Sequence, residues 1–138
     1  GSTTLTTRYV IDGDGNHSFI GDVKYSQQVY QDGGIYNAGS SGASFTPNFI
    51  NGNLQKITMS NASITIANPT NVQNGAVYTM CFVQDATGGR TIATWGSDFN
   101  WGDASAPDFT GGAAGKKHYV TFVVNGTTLD AIYSGVIH

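Results

Sequence analysis

The stretch 76–95 constrains the fold of this chain more than any other. Two β-rich runs flank its central segment, Asp85-Ala86-Thr87-Gly88-Gly89, whose glycines can adopt positive φ. Such runs around a Gly-containing connection of about five residues predict a β-hairpin, with Arg90 pairing with Asp85 across the turn. The first run is apolar on both faces, with Tyr78, Met80 and Phe82 on one and Val77, Cys81 and Val83 on the other. A strand of this kind belongs inside a sandwich or at a subunit interface.

The residue usage favours strands over helices throughout the chain. All nine acidic residues are Asp, and leucine occurs only as Leu5, Leu54 and Leu129. Thr, Val, Ile, Tyr, Phe, Gly and Asn are plentiful instead, which favours strands joined by tight turns. The 138 residues suffice for one domain, which would bury roughly two-thirds of the surface that its unfolded chain exposes.

The charge pattern excludes several classes of partner. Only 11% of the residues are charged, against about 25% in an average protein. The six Lys and Arg residues are scattered and the net charge is -3, so we expect no nucleic-acid binding. No apolar run approaches the ~18 residues of a membrane-spanning helix, so we expect no membrane insertion. The single cysteine, Cys81, cannot form an internal disulfide and lies in an apolar run, which indicates a small core residue.

The first 44 residues differ from the rest of the chain. They contain short β-like pieces at 6–11, 18–25 and 28–36, separated by turn-forming residues. These pieces are either strands of the main sandwich or a stem in which three identical chains share a core. The Gly- and Ser-rich segment 37–44 is typical of a flexible joint.

Two further hairpins are predicted after residue 45. Residues 54–60 and 63–67 carry isoleucine and methionine at alternating positions on either side of a short polar turn. Residues 119–124 and 127–133 flank Asn125-Gly126, a strong signal for a two-residue turn. Three consecutive hairpins predict an all-β fold, an antiparallel β-sandwich of jelly-roll type.

Several short motifs of the span 45–136 carry a family resemblance. They are Thr46-Pro47, Asn51-Gly52, Asn68-Pro69-Thr70, Gly75, Gln84-Asp85-Ala86-Thr87-Gly88-Gly89-Arg90-Thr91, Trp95, Phe99-Asn100-Trp101 and Pro107, followed by the closing strands 119–133. With these motifs the span resembles a domain found at the end of phage tail-fibre and related virion proteins. The resemblance implies a β-sandwich head on a virion, and the preceding segment looks like the shaft-to-head passage of such fibres. One departure is Lys117-His118, where the family is expected to have an acidic residue.

Metal and cofactor patterns are incomplete in this chain. Asp12-Gly13-Asp14-Gly15-Asn16 begins like a calcium loop, but His17 replaces the required glycine and Val23 the bidentate glutamate. A plain hairpin turn is therefore the better interpretation. The three histidines lack metal-ligand spacing. Residues 111–117 resemble a phosphate loop, but the run is one residue short and precedes a strand. We therefore expect no metal and no cofactor.

Catalytic patterns are equally weak. Asp98, Asp103 and Asp108 share one loop with Trp101, yet nothing in their spacing fixes the carboxylate separation that a glycosidase needs. Aspartate is also a common turn former. The sequence contains no Gly-x-Ser-x-Gly elbow for a nucleophilic serine. We therefore expect no enzymatic activity and assign no catalytic residue.

The loop 96–117 contains the candidate ligand contacts. An exposed indole can stack on a sugar ring while its N–H bonds a hydroxyl, which makes Trp101 and Trp95 candidates. Both also fit a packing role, because Trp95 ends a core strand and Trp101 can fill the space beneath the loop. The polar candidates of the same loop are Asp98, Asn100 and Asp103.

These features together predict a non-enzymatic, all-β virion module. Residues 1–44 form a β-rich stem and linker, and residues 45–138 form a sandwich head. We expect the molecule to be a homotrimer that contacts other virion proteins and binds a host surface glycan or another receptor. Three heads on one stem raise the effective concentration enough for avidity. Two alternatives stay open, a capsid decoration or head-fibre protein without receptor recognition and a carbohydrate-binding module of a secreted enzyme.

Overall fold

The computed structural model describes residues 8–11, 17–20 and 34–137. The chain divides into two compact units, Gly1–Tyr30 and Gln31–His138. The predicted stem lies partly outside the described residues, so its assignment stays a prediction.

Within the described residues the chain forms β-strands and one short 3₁₀ helix. In chain order these are β1 (Arg8–Ile11), β2 (His17–Ile20), β3 (Tyr36–Ser40), β4 (Ser44–Phe45), the 3₁₀ helix (Phe49–Asn51), β5 (Leu54–Met59), β6 (Ser63–Ile66), β7 (Val77–Gln84), β8 (Thr91–Trp95), β9 (Phe99–Asn100), β10 (Lys117–Asn125) and β11 (Thr128–Ile137). In the first unit β1 and β2 pair in antiparallel fashion. In the second unit six strands form one sheet in the order β3-β5-β7-β10-β11-β9, and three form another in the order β4-β6-β8. The prediction of an all-β fold is confirmed.

Parallel pairing joins β3, β5 and β7 in the larger sheet and β4, β6 and β8 in the smaller one. The chain therefore passes from one sheet to the other between β3 and β4, between β5 and β6 and between β7 and β8. We call each such passage an arch. Neighbouring arches are hydrogen-bonded at their connections, since Ser41 N donates to Thr58 O over 2.9 Å and Thr65 N to Ala43 O over 3.0 Å. Thr91 N likewise donates to Ala62 O over 3.1 Å, so the three arches are stacked on one another.

Two of the three predicted hairpins are wrong. β7 and β8, predicted as the hairpin of 76–95, lie in different sheets, and so do β5 and β6. A hairpin and an arch both require two β-rich runs around a flexible connection, so the local pattern does not distinguish them. What decides is the distant partner, because β7 pairs with β5 on one side and with β10 on the other. The larger sheet is therefore mixed rather than antiparallel.

The third hairpin is confirmed. β10 and β11 pair in antiparallel fashion, with Asn125 opposite Thr128. The two loop residues are thus Gly126 and Thr127, one position later than predicted. Gly126 has a φ of 66°, which suits the first central position of a type II′ turn. β10 also pairs antiparallel with β7, which ends the parallel ladder.

Buried side chains from both sheets form one core. Every second side chain of β5 and β10 is buried, as expected for strands with one face inside. The core members on the strands are Ile57, Met59, Ile64, Ile66, Tyr78, Met80, Phe82, Ile92, Phe99, Val120, Phe122, Val124 and Leu129. Cys81 is buried and free, which confirms its prediction as an interior residue.

The segment 37–44, for which the sequence predicts a flexible joint, lies largely in β3 and β4. Tyr36 of β3 pairs with Gln55, and Phe45 of β4 pairs with Ile66. The glycines and serines of this segment therefore form the first arch of the stack instead of a joint. A Gly- and Ser-rich composition on its own predicts a flexible segment. It contains no information about the pairing partners on β5 and β6, which come later in the chain.

Candidate functional site

The arch between β7 and β8 is held by the side chain of Gln84. Gln84 is only 1% exposed. Its Oε1 accepts a hydrogen bond from Arg90 N at 2.7 Å, and its Nε2 donates to Arg90 O at 2.8 Å. One buried amide thus satisfies both backbone groups of the residue on the far side of the arch.

Asp85 and Arg90 close the same arch with an ion pair. Arg90 Nη2 donates to Asp85 Oδ2 at 2.7 Å and Arg90 Nε to Asp85 Oδ1 at 3.0 Å. The same carboxylate accepts hydrogen bonds from the backbone N–H groups of Thr87 and Gly88. The hydrogen bond from Arg90 lowers the pKa of Asp85 below its ordinary value and raises the pKa of Arg90. The predicted pairing is confirmed, and this guanidinium is already engaged within the arch.

Glycines allow the loop 96–116 to lie against this arch. Gly89 N donates to Gly112 O at 2.7 Å. A Cβ on Gly88 would come within 2.6 Å of Ala114 N, and Gly88 also has a φ of 70°. The run that carried the family resemblance is therefore a structural arch, in which the amide, the ion pair and the glycines each have a packing or hydrogen-bonding reason.

Trp95 ends β8 inside an aromatic cluster. Its ring centroid lies 4.9 Å from that of Trp101, 5.1 Å from that of Phe99 and 5.5 Å from that of Phe82. Its Nε1 donates to Pro107 O at 2.9 Å. Trp95 therefore has ring contacts on several sides and uses its N–H to hold the loop in place.

Trp101 lies half-buried at the base of the same loop. Its ring meets Trp95 edge-on and lies 5.6 Å from the ring of Phe122. Its Nε1 is buried and has no hydrogen-bond partner among the described residues. The indole is therefore partly packed against the core rings and partly exposed.

The loop 96–116 is fixed near both ends and exposed at its tip. Gly96 N donates to Ile66 O at 2.7 Å, and Ile92 N of β8 donates to Asp108 O at 2.7 Å. Between these anchors, residues 102–106 are all exposed. The sheets thus present a short segment to solvent on a rigid base.

The polar candidates divide between the base and the tip of this loop. Asn100 Nδ2 donates to Asp130 Oδ1 at 2.7 Å. The backbone O of Asp98 accepts a hydrogen bond from Leu129 N at 2.8 Å. The structure therefore brings Asp98 and Asn100 together beside β11, whereas Asp103 lies exposed at the tip. Asp130 was not a sequence candidate, because only the pairing of β9 with β11 places it there.

Asn68 supports the first end of the loop, a role that the sequence did not assign. Its Oδ1 accepts a hydrogen bond from Asp98 N at 3.0 Å, and its Nδ2 donates to Ser97 Oγ at 3.1 Å. A Cβ on Gly96 would come within 2.6 Å of Asn68 N. The Asn68-Pro69-Thr70 motif thus holds the first residues of the loop in place. In the sequence, only its place among the family motifs pointed to this segment.

His118 lies beneath the second end of the loop. It is 2% exposed and stacks on Phe109, with ring centroids 4.3 Å apart and planes at 18°. Neither ring nitrogen has a hydrogen-bond partner among the described residues. Burial lowers the pKa of His118 below its ordinary value. The sequence marked this position only as a departure from the family pattern and gave no sign of the stacking.

The described residues contain neither a cluster of metal-ligating side chains nor a membrane-spanning helix. No group of three or more His, Cys, Asp or Glu residues in this part of the chain could hold a metal ion. The incomplete calcium loop, 12–16, lies outside the described residues. No helix among the described residues is long and apolar enough to cross a membrane.

A family model described as "Putative phage tail fibre C-terminal domain" matches residues 45–129. The matched span contains the arch between β7 and β8 and the whole of the loop 96–116. The match confirms the resemblance carried by the short motifs. Neither the comparison with curated proteins nor that with solved structures found a match.

Proposed function

The chain belongs to the family of phage tail fibre C-terminal domains and is a component of the virion, and we propose that it binds a receptor on the host cell surface. The observation that carries the proposal is the loop 96–116, which is anchored near both ends while residues 102–106 are exposed. Binding residues are commonly displayed on loops that a rigid scaffold positions. The role is one of recognition and not of catalysis.

A surface glycan is the proposed class of receptor. The exposed part of the Trp101 indole offers apolar surface for a sugar ring, and Asp103 at the tip offers a carboxylate for its hydroxyls. Asp98 and Asn100 are proposed contacts at the base of the loop. Trp95 acts through Trp101, because its ring has neighbours on several sides and its N–H is bonded to the loop.

A homotrimer is the proposed assembly, with the N-terminal segment as its stem and the second unit as its head. Single sugar contacts are weak, and three heads on one stem would convert them into useful avidity. Light scattering of the purified protein at micromolar concentration tests this, and a monomer would overturn it. Contacts with other virion proteins are proposed to lie outside the loop.

The receptor proposal is tested with Trp101→Ala and Asp103→Ala, and with Thr65→Ala as the matched control. Thr65 is exposed on β6, in the smaller sheet and outside the loop. The free wild-type protein should block adsorption of the phage to its host and should bind a defined set of sugars on a glycan array. The two loop variants should lose about tenfold or more of this binding, whereas the control should keep it.

Other outcomes separate the alternatives. Binding of the free protein to purified capsids without inhibition of adsorption would support a capsid decoration protein and overturn the receptor proposal. A monomer that binds a polysaccharide gel without affecting adsorption would favour a carbohydrate-binding module. Equal losses in the loop variants and the Thr65 control would show that the loop is not the binding site.

A further inference from the structure

Phe109 is the residue through which the second end of the loop 96–116 enters the core. Its side chain is 7% exposed, and its ring centroid lies 5.3 Å from that of Phe82 and 4.3 Å from that of His118. The preceding Asp108 O accepts the hydrogen bond from β8. Withdrawal of this one ring would therefore remove the side-chain contact of the Phe109 segment with the larger sheet, while Gly115 N would still donate to Gln84 O of β7.

The backbone at Phe109 is strained. Its φ is 60°, a left-handed conformation that a bulky side chain rarely adopts and that persists only where the surroundings enforce it. The stack on His118 and the contact with Phe82 supply that enforcement. A loss of either contact would let the backbone relax towards an ordinary conformation, so the strain favours release.

His118 has no partner that could stabilise a positive charge among the residues that the structure describes. Both of its ring nitrogens are buried and unpaired there. A flat stack on Phe109 gives some cation–π attraction, but this is smaller than the cost of burying an ion without a hydrogen-bond acceptor. A protonated His118 is therefore incompatible with the stacked arrangement.

The charged groups on the described parts of the surrounding elements do not compensate. On β11, Val136 is opposite His118, and Asp130 already accepts a hydrogen bond from Asn100. On β7, Cys81 is opposite Tyr119, and Asp85 beyond the end of the strand is already paired with Arg90. On the loop, Asp108 is exposed and caps Thr110 N through its Oδ1. The lysines on the chain immediately before His118, Lys116 and Lys117, have the same sign of charge as its protonated form.

We propose that the stack of His118 on Phe109 is an acid-sensitive device that holds the Phe109 segment of the loop, residues 102–111, against the larger sheet and releases this segment when His118 is protonated. The direction follows from burial, which lowers the pKa of His118 below its ordinary value of 6.5. In the released loop the imidazole regains water and binds its proton more readily. The held form is therefore fully favoured above that value and loses stability relative to the released form as the pH falls below it.

Hydrogen exchange of the full chain at pH 7.5 and pH 5.0 tests this device without any receptor. After correction for intrinsic exchange, peptides covering 102–111 should open about tenfold more often at pH 5.0, since each pH unit below the unperturbed pKa changes the equilibrium by up to tenfold. Peptides covering 119–125 in β10 should not change. Equal protection of the loop at both values would overturn the proposal.

His118→Phe is the matched variant, because it keeps an aromatic ring on Phe109 and cannot titrate. Its loop should exchange alike at both pH values. His118→Leu serves the same purpose if the larger ring does not fit. In the wild type, NMR titration of His118 should show a midpoint that coincides with the opening of the loop. Persistence of the acid-induced opening in either folded variant, or a titration of His118 that leaves the loop protected, would overturn the proposal.

A consequence for adsorption depends on the proposed receptor function. Acid would then weaken binding in the wild type but not in His118→Phe. The exchange experiment does not involve a receptor, so a failure of receptor binding and a failure of the acid response are distinguishable.

Discussion

The arch between β7 and β8 and the loop 96–116 lie against each other but are built differently. In the arch, Gln84 is bonded to the backbone of Arg90, and Asp85 is bonded to its guanidinium. In the loop, residues 102–106 are exposed, and the fixed points lie near the ends. The arch is therefore specified by hydrogen bonds within a few residues, and the loop by hydrogen bonds and ring contacts with residues that are distant in the chain.

This difference separates the residues that the fold requires from the residues that are proposed to bind a receptor. The arch needs a particular amide, a particular ion pair and glycines at particular positions, so its sequence is recognisable. The exposed side chains of residues 102–106 are not needed to hold the fold together, so these positions can carry residues suited to binding. The motif at the centre of the family resemblance is thus a scaffold, and the proposed binding residues lie on the segment that the scaffold supports.

The largest expected effect comes from Gly88→Ala, at the point where arch and loop touch. Gly88 has a φ of 70°, and a Cβ would come within 2.6 Å of Ala114 N. Both the backbone conformation and the contact are unfavourable, so we expect a loss of about 3 kcal/mol in the free energy of unfolding. Urea unfolding measures it.

Gly89→Ala is the control for this substitution. Gly89 has a φ of 65°, but a Cβ at this position would have nothing within 4 Å. It should therefore cost only the backbone term, about 1 kcal/mol. Equal losses in the two variants would mean that the close approach of the loop to the arch contributes nothing.

Gln84→Ala tests the arch itself. The truncation leaves the partly buried N–H and C=O of Arg90 without their partner and creates a cavity at the buried Gln84 side chain, so we expect a loss of about 2 kcal/mol. Gln73→Ala, at an exposed position, should change stability by less than ~0.5 kcal/mol. Thermal unfolding of both variants gives the comparison, and an unchanged Gln84→Ala protein would contradict the role assigned to the amide.

The part of the fold that the sequence predicts is the part decided locally. The β10–β11 hairpin is correct because a two-residue glycine turn is encoded within the turn itself. The arches are not predicted because the same alternation of apolar residues also suits a hairpin. Only the parallel pairing of β5 with β7, in which Ile57 is opposite Phe82, excludes the hairpin. The segment 37–44 is missed for the same reason, since its partners on β5 and β6 follow it in the chain.

The site divides in a similar way. The pairing of Arg90 with Asp85 is predicted because the two residues flank one short connection. The roles of Asn68 and His118 are not predicted, because each depends on a ring or loop that is distant in sequence. For Trp95 and Trp101 the sequence leaves packing and ligand contact open, because an apolar indole suits either role and exposure is set by the tertiary fold.

The two tryptophans allow a finer test of how the loop is held. Trp95→Phe removes the hydrogen bond to Pro107 O, so we expect a loss of about 1 kcal/mol. Trp101→Phe reduces ring contact but removes no hydrogen bond to a described residue, so its loss should be smaller than that of Trp95→Phe. Urea unfolding again measures both. A larger loss in the Trp101 variant would reverse their assigned roles.

The smallest expected effect is a change in the pH dependence of stability in Asp85→Asn, which tests whether the arch and the loop respond to acid separately. The hydrogen bonds from Arg90 lower the pKa of Asp85 below its ordinary value of 3.8, so the stabilisation is present above that value and is lost as the pH falls through the lower, folded value. Both side chains are partly exposed, which keeps the contribution small. Asp85→Asn should flatten the dependence of stability on pH below about 4 without changing it between pH 7 and 5, where His118 acts. Asp103→Asn, at the exposed tip, is the control and should leave the wild-type dependence in both windows. A change between pH 7 and 5 in Asp85→Asn would show that arch and loop respond to acid as one unit, since the ion pair itself does not titrate there.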